Sequence, residues 1–104
     1  MKKIETPVLF ILYNRADLAK KLFDTISSMY QFRSIYISVD GPKNNNIDKR
    51  KVKDVIEVAN QVDFSNEVHF NIGNINQGCR TAVAGAIDWF FDNVDEGIIL
   101  EDDC

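Results

Sequence analysis

Four short apolar runs, separated by three stretches of helical periodicity, set the pattern of this chain. "VLFILY", Val8 to Tyr13, is continuous and rich in strand formers, as expected of a strand covered on both faces. "NRADLAKKLFDTISSMY" follows, with Leu18, Leu22, Ile26 and Met29 at helical spacing and Ala19, Phe23 and Tyr30 beside them. Asn14 is placed to cap this helix, and Asp17 in its first turn suits the positive end of the helix dipole. "SIYISVD", Ser34 to Asp40, predicts a second strand, closed by the turn signal "DGPKNNN". A second helix, from about Asp48 to Val62, presents Val52, Val55, Ile56, Ala59 and Val62 on one face. "EVHFNI", Glu67 to Ile72, predicts a third strand and "GNINQG" a loop. A third helix, from about Cys79 to Asn93, gathers Ala82, Val83, Ala86, Ile87, Phe90 and Phe91 on one side. "GIILEDD" predicts the fourth strand, which ends in acids.

Strand–helix alternation with buried-type strands predicts an α/β fold, a Rossmann-like three-layer α/β/α arrangement around a parallel four-stranded sheet. Counting the predicted strands along the chain, the expected spatial order is 3-2-1-4, with helices on both faces. Ligands in such sheets bind beyond the carboxyl ends of the strands. Those ends carry Asn14 and Arg15, then Asp40, then "NINQG", and finally Glu101, Asp102 and Asp103. Polar groups collect on one edge, and that edge is the predicted site.

Composition narrows the setting. The 104 residues leave room for one domain, 1–104, and the 45% apolar, 27% charged content is that of an ordinary globular protein. A formal net charge of −4 argues against a nucleic-acid backbone or an anionic membrane as main partner. Two cysteines, Cys79 and Cys104, are too few for a disulfide framework and match no metal-finger spacing, so the expected localisation is cytoplasmic. "MKKIETPVLFILYNR" superficially resembles a signal peptide, but Glu5 and Pro7 interrupt it and its apolar run is short. No stretch is long enough to span a membrane.

The candidate chemistry sits at the strand ends. In a strand, Glu101 and Asp103 share one side and Asp102 faces the other. One or two carboxylates, with substrate phosphate oxygens and water, form the usual shell of Mg²⁺ or Mn²⁺. The bland alternative is a solvated acidic end, against which stands the position of the acids directly after "IIL". Asp40 can accept an imide N–H or ribose hydroxyls, or simply belong to its Asp-Gly turn. Arg15 lies beside a helix N-terminus, where a diphosphate is favoured and a guanidinium adds bidentate contacts; alone it reads as a surface arginine. Arg80 is similar, whereas Asn76, Gln77 and Gly78 read as caps. "DKRKVK" reads as solvated helix surface, His69 as structural, and Trp89, Phe90 and Phe91 as core or interface aromatics.

On these residues the chain resembles the nucleotide-binding half of GT-A glycosyltransferases, the nucleotide-diphospho-sugar transferase superfamily. "PVLFILYNRADLAKKLFDTI" looks like the opening of the N-acetylglucosaminyltransferase I group, "IYISVDG" like its second strand, and "GIILEDDC" like its "EDD" form of the DxD motif. The resemblance implies that Ile11 and Arg15 contact the nucleotide sugar, that Asp40 holds a uracil, and that Asp103 binds Mn²⁺ or Mg²⁺. It implies contacts from Glu101 and Asp102 to ribose or to metal-bound water and sugar. "NQGCRTAVAGAIDWFF" is similar to a segment in which an Arg approaches the nucleotide, which falls on Arg80. The implied function is binding of a UDP-sugar donor within an enzyme that transfers the sugar to an acceptor. Members continue past this motif to the acceptor site and catalytic base, so the expectation is a truncated donor-binding half with no catalytic residue of its own, inactive alone. Its bare edge strand is expected to pair with a second copy. A rival expectation is a nucleotide-binding or interaction module without the transfer chemistry.

Overall fold

The computed structural model describes residues 1–102. Five strands and three helices alternate along them: β1 (Lys2–Ile4), β2 (Val8–Leu12), α1 (Ala16–Ser27), β3 (Tyr30–Val39), α2 (Asn46–Asn60), β4 (Ser65–Ile72), α3 (Cys79–Asn93) and β5 (Ile98–Glu101). All strand pairings are parallel, as the alternation predicts. No helix among the described residues is long and apolar enough to cross a membrane.

The sheet corrects the expected four strands. It has five, running β1-β3-β2-β5 with β4 also paired to β3. The four predicted strands keep the neighbours expected of 3-2-1-4, as β4-β3-β2-β5, and β1 is the addition that changes the order of the whole. The added strand, β1, has two exposed lysines and one half-buried isoleucine, which carry no apolar run to betray it. It registers Lys2 to Ile4 against Tyr30 to Phe32. That pairing is open because β3 starts at Tyr30, four positions before the strand the sequence predicts. Met29 and Tyr30 continue the helical spacing of α1, yet α1 stops at Ser27. The Met29 carbonyl accepts the Lys2 N–H at 3.2 Å, so the chain turns into the sheet there.

Central placement explains the composition of β2. Its neighbours are β3 on one side and β5 on the other, and all five of its residues are buried. Alternate residues of a strand face opposite ways. Val8, Phe10 and Leu12 enter one cluster with Ala19 and Phe23 of α1 and Val52, Val55 and Ala59 of α2. Leu9 and Ile11 enter a second cluster with Tyr36 of β3 and Ala86 and Phe90 of α3. A strand with apolar partners on both sides shows no polar alternation, and this is why "VLFIL" reads as a solid run. Phe10 anchors the larger cluster, meeting the rings of Phe23 and Phe64 edge-on at 5.0 and 6.3 Å between centroids.

At the carboxyl edge the loop after β4 lies directly on the turn after β3. Gly73 N–H donates to the Val39 carbonyl at 2.9 Å. A Cβ on Gly41 would stand 2.5 Å from the Ile75 backbone, so only glycine admits this approach.

Two substitutions test this packing. Phe10→Ala is expected to lower stability by about 3–5 kcal/mol, the range for a buried phenylalanine. Gly41→Ala is expected to cost about 1–3 kcal/mol because backbone must move. Urea denaturation checks both, and a Gly41→Ala protein of unchanged midpoint would refute the close approach of the two loops.

Candidate functional site

A cavity of about 350 Å³ opens at the carboxyl ends of β2, β3 and β5. Its walls include Ile11, Arg15, Asp40 and Glu101, four of the residues singled out in the sequence, together with Tyr13, Lys43 and Asn76. Two cations and two carboxylates therefore meet over an apolar floor. The placement follows from parallel strands all ending at one edge, with the helix N-termini of α1 and α3 beside them.

Asp40 turns out to be an organiser of loops. Its Oδ1 accepts the N–H groups of Gly41 and Gln77 at 2.8 and 3.0 Å. Its Oδ2 accepts Gly78 N–H at 3.2 Å and the Asn76 side-chain amide at 3.1 Å. A carboxylate offers about four lone-pair sites, and all are taken. The carboxylate thus lies against the first turn of α3, whose N-cap Gly78, at φ 86°, has no side chain to serve there. Asn76 also donates to the Gly41 carbonyl at 3.0 Å, closing the loop onto the turn.

A second carboxylate, Asp48, is buried and was not a candidate from the sequence. Its Oδ2 accepts the Tyr13 hydroxyl at 2.5 Å and the Lys43 backbone N–H at 2.6 Å, and its Oδ1 accepts the Asn14 amide at 2.8 Å. Asn14 is consequently not the cap of α1. Arg15 occupies the N-cap position, without a capping side-chain bond. Asn45 caps α2 instead, accepting the Asp48 N–H at 2.8 Å. Burial pushes the Asp48 carboxyl up, but the bonds from Tyr13, Asn14 and Lys43 together outweigh it and hold the group below the usual carboxylate range. Tyr13 is pushed up to about 12, first by burial and then by its bond to Asp48. One signal was available: an apolar strand ending in tyrosine needs a partner for the hydroxyl when that ring is covered.

The remaining candidates separate. Arg15 forks onto Asp17, with N–O distances of 3.3 and 3.2 Å, and this holds the Asp17 carboxyl below its ordinary range. Both groups are exposed enough for an anion to compete. Glu101 lines the cavity, whereas Asp102 lies in a separate depression beside Leu18, Lys21 and Thr25. Asp102 N–H donates to the Ile11 carbonyl at 3.3 Å. Arg80 is exposed in the first turn of α3 and is not among the cavity residues. Asp103, the expected metal ligand, lies outside the described residues. Cys79 lines the cavity and is not a free thiol. His69 stacks on Tyr36 at 4.5 Å, away from the cavity, in keeping with a structural role.

Among the described residues no group of three or more His, Cys, Asp or Glu is disposed to hold a metal ion. Glu101 alone suits a hard cation that takes one or two carboxylates and draws its other oxygens from a ligand and water.

Asp48 gives a pH-dependent test. Its folded pKa lies below its unfolded one, so its contribution is present above about pH 4 and is lost as pH falls through the folded value. Tyr13 has the opposite sense: its contribution holds below about pH 10 and is lost as pH rises from there through about 12. Asp48→Asn is expected to destabilise the protein by about 2 kcal/mol at neutral pH, on the scale of hydrogen bonds to a charged group. The gap to the parent should narrow in acid, and phenolate absorbance should show Tyr13 titrating nearer its ordinary value. A pH-independent difference would refute the assignment.

Compared with protein-family models, curated proteins and solved structures, the chain matches none. Its function is therefore approached through the geometry of the cavity.

Proposed function

We propose that the cavity binds the diphosphate end of a nucleotide-sugar donor, a UDP-sugar by the resemblance of its motifs, and that the chain is the donor-binding part of a glycosyltransferase. The finer fold reading, a three-layer Rossmann-like half of a GT-A domain, belongs to the same proposal. The observation that carries it is the meeting of Arg15, Lys43 and Glu101 around one cavity beside the N-terminus of α1.

Each group has a role in this reading. The Arg15 guanidinium leaves Asp17 for the phosphate oxygens, where its planar fork makes two bonds at once. Lys43 adds a second positive charge. Its main chain is fixed by Asp48, so the side chain starts from a defined point. The uncapped N-terminus of α1 offers further N–H groups to an anion. Glu101, with Asp103, would hold Mn²⁺ or Mg²⁺, which when bound neutralises the diphosphate as it leaves. Asp102 and Arg80 do not line the cavity and are given no role in this reading.

A second reading, a nucleotide-binding module without transfer chemistry, is favoured by the saturation of Asp40 by its own loop. Turnover separates the two readings; binding does not.

Titration calorimetry with UDP is expected to show binding that strengthens on addition of Mn²⁺. Arg15→Ala and Lys43→Ala should each weaken it about tenfold, the scale of one charge-assisted contact. Absence of binding with and without metal, or affinity unchanged from the parent in both variants, would overturn the reading. A UDP-sugar hydrolysis or transfer assay on the same protein then decides between transferase and binding module.

A further inference from the structure

A second, smaller hollow of about 190 Å³ joins the cavity, sharing Ile11, Asp40 and Ala82 with it. It lies between the sheet and the first half of α3. On the sheet side Ile11, Ser38 and Asn71 form one row across three strands, since Ile11 registers with Ser38 and Ser38 with Asn71. On the helix side stand Ala82, Gly85 and Ala86. A Cβ at Gly85 would meet nothing within 4 Å, so the gap persists beyond what the missing side chain leaves. The one charged residue of the lining, Asp40, has both carboxylate oxygens occupied by donors of its own loops, so the groups left to meet a ligand are uncharged.

Ser38 is the informative group. It is 7% exposed, and its hydroxyl accepts the Asn71 amide at 3.3 Å. Among the described residues it donates to nothing, although a buried O–H without an acceptor is costly. The Asn71 Oδ1 likewise receives no donor among them. Adjacent strands are about 4.8 Å apart, so the row offers one O–H donor next to one carbonyl acceptor, over an apolar floor and under small side chains.

We infer that this slot binds an uncharged planar ring carrying a hydrogen-bond acceptor beside a donor, a pyrimidine-type base, read by Ser38 and Asn71. The inference rests on the proposed nucleotide-sugar reading and changes it in one respect: base recognition passes from Asp40, whose carboxylate is full, to the Ser38–Asn71 row. A ring carbonyl accepts from Ser38, the neighbouring ring N–H donates to Asn71, and Asp40 holds the loop that borders the slot. Specificity then depends on the ring N–H, because a site built to bond it rejects a ligand that lacks it.

Uridine, 3-methyluridine and inorganic diphosphate, each titrated into the full chain and followed by amide NMR, test this. Uridine is expected to move the signals of Ser38, Asn71 and Gly85, and 3-methyluridine to bind at least about tenfold more weakly. Gly85→Leu fills the slot and should abolish uridine binding while leaving diphosphate binding intact. Should that variant fold poorly, Asn71→Leu, at an exposed position, is expected to give the same loss. Equal binding of the two nucleosides, or parental uridine affinity in the folded variants, overturns the inference. Diphosphate binding without uridine binding overturns it and leaves the nucleotide-sugar reading standing; binding of neither overturns both.

Discussion

Everything in this fold depends on burying both faces of β2. Five consecutive apolar residues have no polar position through which the strand could meet water, so each face needs its own cover. α1 and α2 supply one cover and α3 the other. Because covering helices must return to the same end of the sheet to begin the next strand, every connection of one type falls at one edge. The cavity is a consequence of that constraint, with no separate device needed to create it.

Two buried or half-buried carboxylates then shape the edge. Asp48 ties the end of β2 to the start of α2 through Tyr13, Asn14 and Lys43. Asp40 ties the end of β3 to the start of α3 through the loop at 76–78. Each ion is surrounded by donors, which is the condition for keeping a charge away from bulk water. The two together fix the backbone from which Arg15 and Lys43 reach into the cavity. Loops held by charge-assisted bonds can present ligand-binding groups without first being ordered, which lowers the cost of binding.

Much of this was legible in the sequence because it depends on local pattern. "VLFIL" announced a central strand, the spacing of Val52, Val55 and Ala59 announced α2, and α3 runs over the predicted Cys79–Asn93. Strand ends could be located from these elements, and hence Arg15, Asp40 and Glu101 at one edge. β1 was not legible: "KKI" carries no apolar periodicity, and it forms because β3 extends far enough back to offer it hydrogen bonds.

Asp40 and Asp48 mark where the sequence stops determining the outcome. An aspartate after a strand is equally a ligand contact or a loop anchor, and the choice depends on which N–H groups arrive beside it from residues 36 to 38 positions away. Asp48 looked like one more polar residue on a helix until Tyr13, 35 positions earlier, was brought within hydrogen-bond reach. Ser38, Asn71 and Gly85 become a slot only when register aligns the first two and α3 sets the third opposite them. Periodicity along the chain determines which faces are buried, since that is a property of neighbours in sequence. Which polar groups meet is decided by register and loop closure, which bring together atoms that the linear pattern does not relate.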